Sequence, residues 1–165
     1  MMLHSKTAHD YLVPAIAFAL AALFIYAGAE KISEPLQFAD TIAAFAILPA
    51  VAINLLAAGL PIFEVGSGLL LLVPRIRRIG ALAVVLISMV FFSALLSALV
   101  RGLVLDCGCF GTGPPSRPRM WLELGSDVLF FSGALFVYFR LLRSDSNASI
   151  SASGFPSSME RTMLR

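Results

Sequence analysis

Charged side chains are scarce in this sequence. Asp, Glu, Lys and Arg make up 13% of 165 residues, against 59% hydrophobic, with a mean hydropathy of +0.90. A soluble domain carries about 25% charged and about 45–50% apolar residues. The shortage therefore excludes an ordinary soluble globule and points to a membrane protein. The net charge of +2 removes support for a nucleic-acid partner. Metal-ligating residues are also few: two cysteines, Cys107 and Cys109, and two histidines, His4 and His9. No ten-residue alternating segments are present, which excludes a membrane β-barrel. No internal repeat is visible.

What the sequence does contain is four apolar blocks: Tyr11 to Ala29, Ala50 to Val73, Ile79 to Val100, and Trp121 to Phe139. Each approaches the ~20 residues that a helix needs to cross a bilayer. Polar residues do not recur in them at helical spacing, as they would in a soluble helix. The expected fold is all-α: an integral membrane bundle of four transmembrane helices over about 11–32, 50–73, 79–100 and 120–143. Lys6, the apolar run and Ala27-Gly28-Ala29 resemble a secretory signal, but the run is long for one, and an uncleaved first helix is expected. Ala15, Ala19, Ala22 and Ala29 form a small-residue stripe suited to close helix packing, with Tyr26 on the same face.

Between the first two spans lies "EKISEPLQFADTIAAFAILP". Ser33 is a candidate helix cap, and Pro35 suits a first turn. Glu34, Gln37 and Thr41 make a polar stripe opposite Leu36, Ile42, Phe45 and Ala46. This predicts a short amphipathic helix in the membrane interface, ended by Pro49. Residues 144–165 are rich in serine, and a disordered cytoplasmic tail is expected there. Asn147-Ala-Ser149 matches a glycosylation acceptor, a match without meaning on the cytoplasmic side.

Basic residues suggest the topology. Lys6, Arg75, Arg77, Arg78, Arg140 and Arg143 fall on one side, and Lys31, Arg101, Arg117 and Arg119 on the other. The positive-inside rule makes the first side cytoplasmic. Both termini would then lie inside, and the loop "VLDCGCFG" would face the periplasm of a bacterial inner membrane.

That loop holds both cysteines, separated by Gly108 and followed by Gly111, Gly113, Pro114 and Pro115. Free cysteine is commonly an inert core residue, but a polar, bent loop in an oxidising compartment favours a disulfide. Disulfide geometry is demanding, and one intervening residue can meet it only with unusual backbone angles, which glycine allows. Strained, exposed disulfides are the exchangeable ones. The ring is also too small to stabilise the fold much. Arg101, Arg117 and Arg119 flank the pair, and positive charge lowers a thiol pKa toward the reactive thiolate. The competing reading is a Cu(I) or Zn(II) site. Zinc sites usually want four ligands, His4 and His9 lie across the membrane, and only Met120 and Asp106 are close in sequence. Redox chemistry is the favoured reading, with no metal assigned.

Three ionisable residues inside or at the edge of the spans stand out: Lys31, Glu64 and Asp127. Such residues are costly in a bilayer and usually functional. Lys31 could simply snorkel to the interface. Glu64 sits near mid-span, after Pro61 and before Gly66 and Gly68, and Lys31 is its nearest plausible cation. Asp127 shares a helix face with Glu123. The three read either as an interhelical polar clamp or as a proton path or quinone-facing pocket.

"YAGAEKISEPLQFADTIAAFAILP", "PIFEVGSGLLLL" and "DCGCFG" together resemble the MauE (methylamine utilisation) family of DoxX-like membrane proteins. The matching positions include Tyr26, Gly28, Lys31, Pro35, Phe38, Ile42, Leu48, Pro49, Pro61, Glu64, Gly68, Cys107 and Cys109. The likeness spans about Tyr11 to Arg143 and is loosest in the last helix, so Glu123 and Asp127 inherit no role. The resemblance implies a four-helix membrane protein tied to thiol–disulfide chemistry, in a family associated with maturation of the disulfide-rich small subunit of methylamine dehydrogenase. The expected function is a membrane thiol–disulfide accessory protein for periplasmic maturation. Its partners would be the bilayer and a periplasmic thioredoxin-like or client protein, and a membrane quinone is the candidate cofactor. Whether the chain is itself a thiol–disulfide oxidoreductase stays open at this point. A copper- or zinc-handling protein and a non-catalytic assembly scaffold remain as alternatives.

Overall fold

The computed structural model describes residues 8–105 and 116–153, with side chains described within 11–143. Cys107, Cys109 and the rest of their loop lie outside the described residues, as does the chain from residue 154. The described residues form five helices, in the order α1 (Ala8–Ser33), α2 (Pro35–Ala44), α3 (Ala50–Leu72), α4 (Arg77–Val100) and α5 (Arg117–Ser153). Among the described residues there is no strand. Tyr11–Ser33, Ala50–Leu72, Arg77–Val100 and Arg117–Arg143 are each long and apolar enough to cross a membrane. The all-α expectation of four spans, with a short helix between the first two, is therefore met.

Helix α1 packs mainly on α3, α3 on α4, α4 on α5, and α5 back on α1. The facing residues set the directions. Gly28 of α1 meets Pro61 and Val65 of α3, while Gly68 meets Ala21 and Ile25, so these helices run antiparallel. Phe24 packs edge-on against Phe130 at 6.0 Å, and Gly133 faces Ile16 and Leu20, so α1 and α5 are antiparallel too. The result is an up-and-down bundle. One end gathers the start of α1, the α3–α4 turn and the later part of α5. The other gathers Lys31, α2, and the segments that lead into and out of the cysteine loop.

The surface is apolar. Phe18, Ile62, Phe63, Leu122 and Leu129 are each more than 60% exposed. A patch of this extent marks a lipid- or partner-facing wall. The main core is built on Ala17, Leu20, Ala21, Phe24, Leu71, Val84, Ala134 and Val137.

The small-residue face of α1 differs from the expected one. Ala15, Ala19, Ala22 and Ala29 are exposed, and the packed stripe is Ala17, Ala21 and Gly28. All the residues of a uniformly apolar helix suit the lipid, so composition does not distinguish its inner face. What distinguishes it is where backbones touch. A Cβ on Gly28 would lie 2.8 Å from the Pro61 carbonyl oxygen, and one on Gly68 would lie 2.9 Å from that of Ala21. A methyl at Gly59 would meet nothing within 4 Å. Gly28→Ala is therefore expected to lower stability by about 1–3 kcal/mol through overpacking, whereas Gly59→Ala is expected to be neutral or slightly stabilising. Unfolding midpoints of the two variants in the same detergent check this, and equal midpoints would contradict the seam.

Several local details differ from those expected. Ser33 caps nothing, because its hydroxyl donates back to the Glu30 carbonyl at 2.6 Å. Glu34 occupies the cap position of α2 without a side-chain bond, and Pro35 begins the helix. On α2 the buried residues are Phe38 and, just beyond its end, Phe45, while Leu36 is exposed. The helix stops at Ala44 rather than at Pro49, which instead caps α3. Helix α5 runs to Ser153, past Arg143, where the tail was expected to begin. No proline or glycine interrupts residues 144–153, and Gly154 and Pro156 follow in the sequence; these are ordinary helix-stop signals.

Candidate functional site

Lys31 stands in the last turn of α1, and Glu64 two thirds of the way along α3. The antiparallel seam brings them together. The Lys31 Nζ lies 3.0 Å from both carboxylate oxygens of Glu64 and donates to Oε1. Oε2 is in charge contact only and has no hydrogen-bond partner. Both side chains are buried, Lys31 at 4% and Glu64 at 2% exposure. Lys31 therefore does not snorkel. The Phe91 ring lies 5.4 Å from its ammonium and the Phe38 ring 5.5 Å, both within cation–π range. The aromatic faces supply the partial negative charge that the lysine would otherwise draw from water.

Asp127 completes the group from α5. It is 5% exposed and lines a small cavity with Glu64, Phe91, Phe24 and Phe130. Its Oδ2 is buried with no hydrogen-bond partner. One turn earlier, Glu123 is buried at 3% exposure and pairs with Arg119 at 3.7 Å. The three intramembrane residues singled out from sequence thus form one cluster, to which all five helices contribute. The aromatic walls, Phe38 and Phe91, carried no chemical signal of their own in the sequence. Phe91 is one of many phenylalanines in apolar helices, and its place is visible only in three dimensions.

Of the three arginines expected to act on the cysteines, two have contacts among the described residues. Arg101 donates from Nη2 to the Phe45 carbonyl and from Nε to that of Ser97, the latter at 3.3 Å. It ties the end of α2 to the end of α4. Arg119 pairs with Glu123, and Arg117 is exposed.

The base of the cysteine loop is firmly built. Helix α4 ends with Gly102 at φ 75°, with Gly102 N–H donating to Leu99 and Leu103 N–H to Ala98, both at 3.0 Å. This is the left-handed glycine stop. Phe45, Leu95, Ala98, Met120 and Leu124 form a second core, on which Leu103 and Leu105 pack. Met120, considered from sequence as a soft ligand, is a packing residue with 1% exposure.

A larger apolar groove of about 670 Å³ opens between α2, α3 and α4, lined by residues that include Phe38, Ile42, Leu60, Met89, Phe91 and Ala94. Phe38 and Phe91 separate it from Lys31.

These features define a class: a four-span integral membrane protein with a buried acid–base cluster beneath one end of the bundle. The family model of methylamine utilisation protein MauE matches residues 9–140, and the chain belongs to that family. The methylamine utilization protein MauE of Paracoccus denitrificans is 32% identical over 124 residues, covering 74% of this chain. The chain spans 66% of that relative's length. No solved structure matches the chain.

Proposed function

We propose that this protein is a membrane thiol–disulfide accessory factor that supports maturation of a partner protein on the periplasmic side of a bacterial inner membrane. Methylamine utilisation is the setting that the relative's name suggests. Cys107 and Cys109 would alternate between dithiol and disulfide, exchanging with a thioredoxin-like protein or directly with the client. The observation that carries this reading is a Cys-Gly-Cys pair in a loop whose two roots are packed on a rigid core. A fixed base with a glycine-rich tip presents sulfurs without committing the bundle to move.

The groove between α2, α3 and α4 fits a membrane quinone, which would supply two-electron exchange with the thiol pair. Its walls are almost wholly apolar, and Thr41, Ser93 and Ser97 are the hydroxyls among its lining. Phe38, Met89 and Phe91 would hold the ring and tail by dispersion and stacking.

The reading requires the cysteine loop to face the periplasm, as the arginines at the opposite bundle end indicate. In whole cells treated with reductant, a membrane-impermeant thiol reagent is expected to label Cys107 and Cys109. Labelling only after lysis would contradict the proposal and favour metal handling on the cytoplasmic side.

A further inference from the structure

The cluster of Lys31, Glu64 and Asp127 has an unbalanced charge count. Among the described residues Lys31 is the cation held against the two acids, and it is bound to Glu64 at 3.0 Å. Arg119, the next cation along α5, pairs with Glu123. From α4 and α2 the facing side chains are Phe91 and Phe38, which carry no charge. Fully ionised, the described cluster would hold a net negative charge in an apolar surround, a state that burial strongly disfavours.

Two carboxylate oxygens in it lack hydrogen-bond partners: Glu64 Oε2 and Asp127 Oδ2. Both residues line the same cavity of about 30 Å³. That volume accommodates one water, given that a single water needs about 10–15 Å³ by this measure. An ionised carboxylate can only accept hydrogen bonds, whereas a protonated one also donates. Glu64 Oε2 has the Lys31 ammonium at 3.0 Å, while Asp127 Oδ2 has no hydrogen-bond partner among the described residues; one added proton on Asp127 turns its carboxyl into a donor toward the other acid lining the cavity.

We propose that this cavity is a buried proton-binding site, in which Asp127 holds one proton and donates through a single water to Glu64, whose charge Lys31 neutralises. The assignment rests on residues of the spans alone, and its test is separate from that of the thiol chemistry. It gives the bundle a group that can store or release a proton next to the ion pair.

Infrared spectroscopy of the purified full chain in lipid nanodiscs tests it, with aspartate ¹³C-labelled at the side-chain carboxyl. A protonated-carboxyl stretch is expected to persist at neutral pH, where exposed carboxyls are ionised. It should move on aspartate labelling and on exchange into deuterium oxide, and it should disappear in Asp127→Asn. The labelling result needs no mutation and assigns the band to an aspartate; Asp127→Glu, which keeps a protonatable carboxyl, is expected to leave a band that no longer responds to the aspartate label, and this assigns it to Asp127 if Asp127→Asn fails to fold. Cys107→Ser/Cys109→Ser is expected to keep the band, which separates this site from the proposed exchange role. The absence of any such stretch at neutral pH, or a stretch unmoved by the aspartate label, would overturn the proposal.

Discussion

Lys31→Met is expected to lower the stability of the bundle by about 3–5 kcal/mol, the cost of removing one partner from a buried ion pair. The variant leaves the Glu64 carboxylate at 2% exposure, facing aromatic rings that suited a cation and repel an anion. Lys31→Met/Glu64→Leu is expected to recover most of that loss, because replacing both partners by apolar groups of similar size is often neutral or stabilising. Asp127 does not prevent recovery if it already carries its own proton. Midpoints of denaturant titration in mixed micelles, with the four members of the cycle side by side, give the coupling directly. Additive losses would mean that the two residues do not stabilise each other. The double variant also separates roles. A stable bundle that fails to complement a deletion strain would show that the pair serves function, and full complementation would reduce it to a clamp.

The second large effect concerns the cysteines. On the proposed exchange role, Cys107→Ser and Cys109→Ser each reduce complementation to the level of the deletion strain while leaving the helices inserted. One of the two is expected to accumulate a mixed disulfide with a partner protein, because exchange proceeds through such an intermediate and the remaining thiol has no neighbour to resolve it. The adduct is detected as a band that vanishes on reduction, and the cysteine left in that variant is the attacking one. Complementation by the double serine variant at the wild-type level would instead favour an assembly scaffold.

Much of this architecture is legible in the sequence because lipid imposes a simple rule. Spans must be apolar and about 20 residues long, so the boundaries of the first three spanning helices and the start of the last fall within a few residues of those expected. The same rule conceals the packing. With lipid outside and protein inside equally apolar, the alanine stripe at Ala15, Ala19 and Ala22 looks like an interface and faces outward. The true seam depends on Gly28 and Gly68, whose importance lies in a close approach of two backbones. Ionisable residues are the exception. Lys31, Glu64 and Asp127 stand out because each is costly in hydrocarbon, and that cost draws them together. Their aromatic neighbours have no comparable penalty to reveal them. Arg101 carries a structural duty that its charge alone does not reveal: it binds the carbonyls of Phe45 and Ser97.

Cys107 and Cys109 are proposed to form an exchangeable pair, and a redox titration of the purified protein measures this most directly. The protein is equilibrated in thiol–disulfide buffers, alkylated and weighed at each potential. A single two-electron transition is predicted, well above the about −300 mV below which structural disulfides fall, because a ring closed across one glycine is strained. A transition below that value, or two thiols that stay reduced under mild oxidant, would contradict the account.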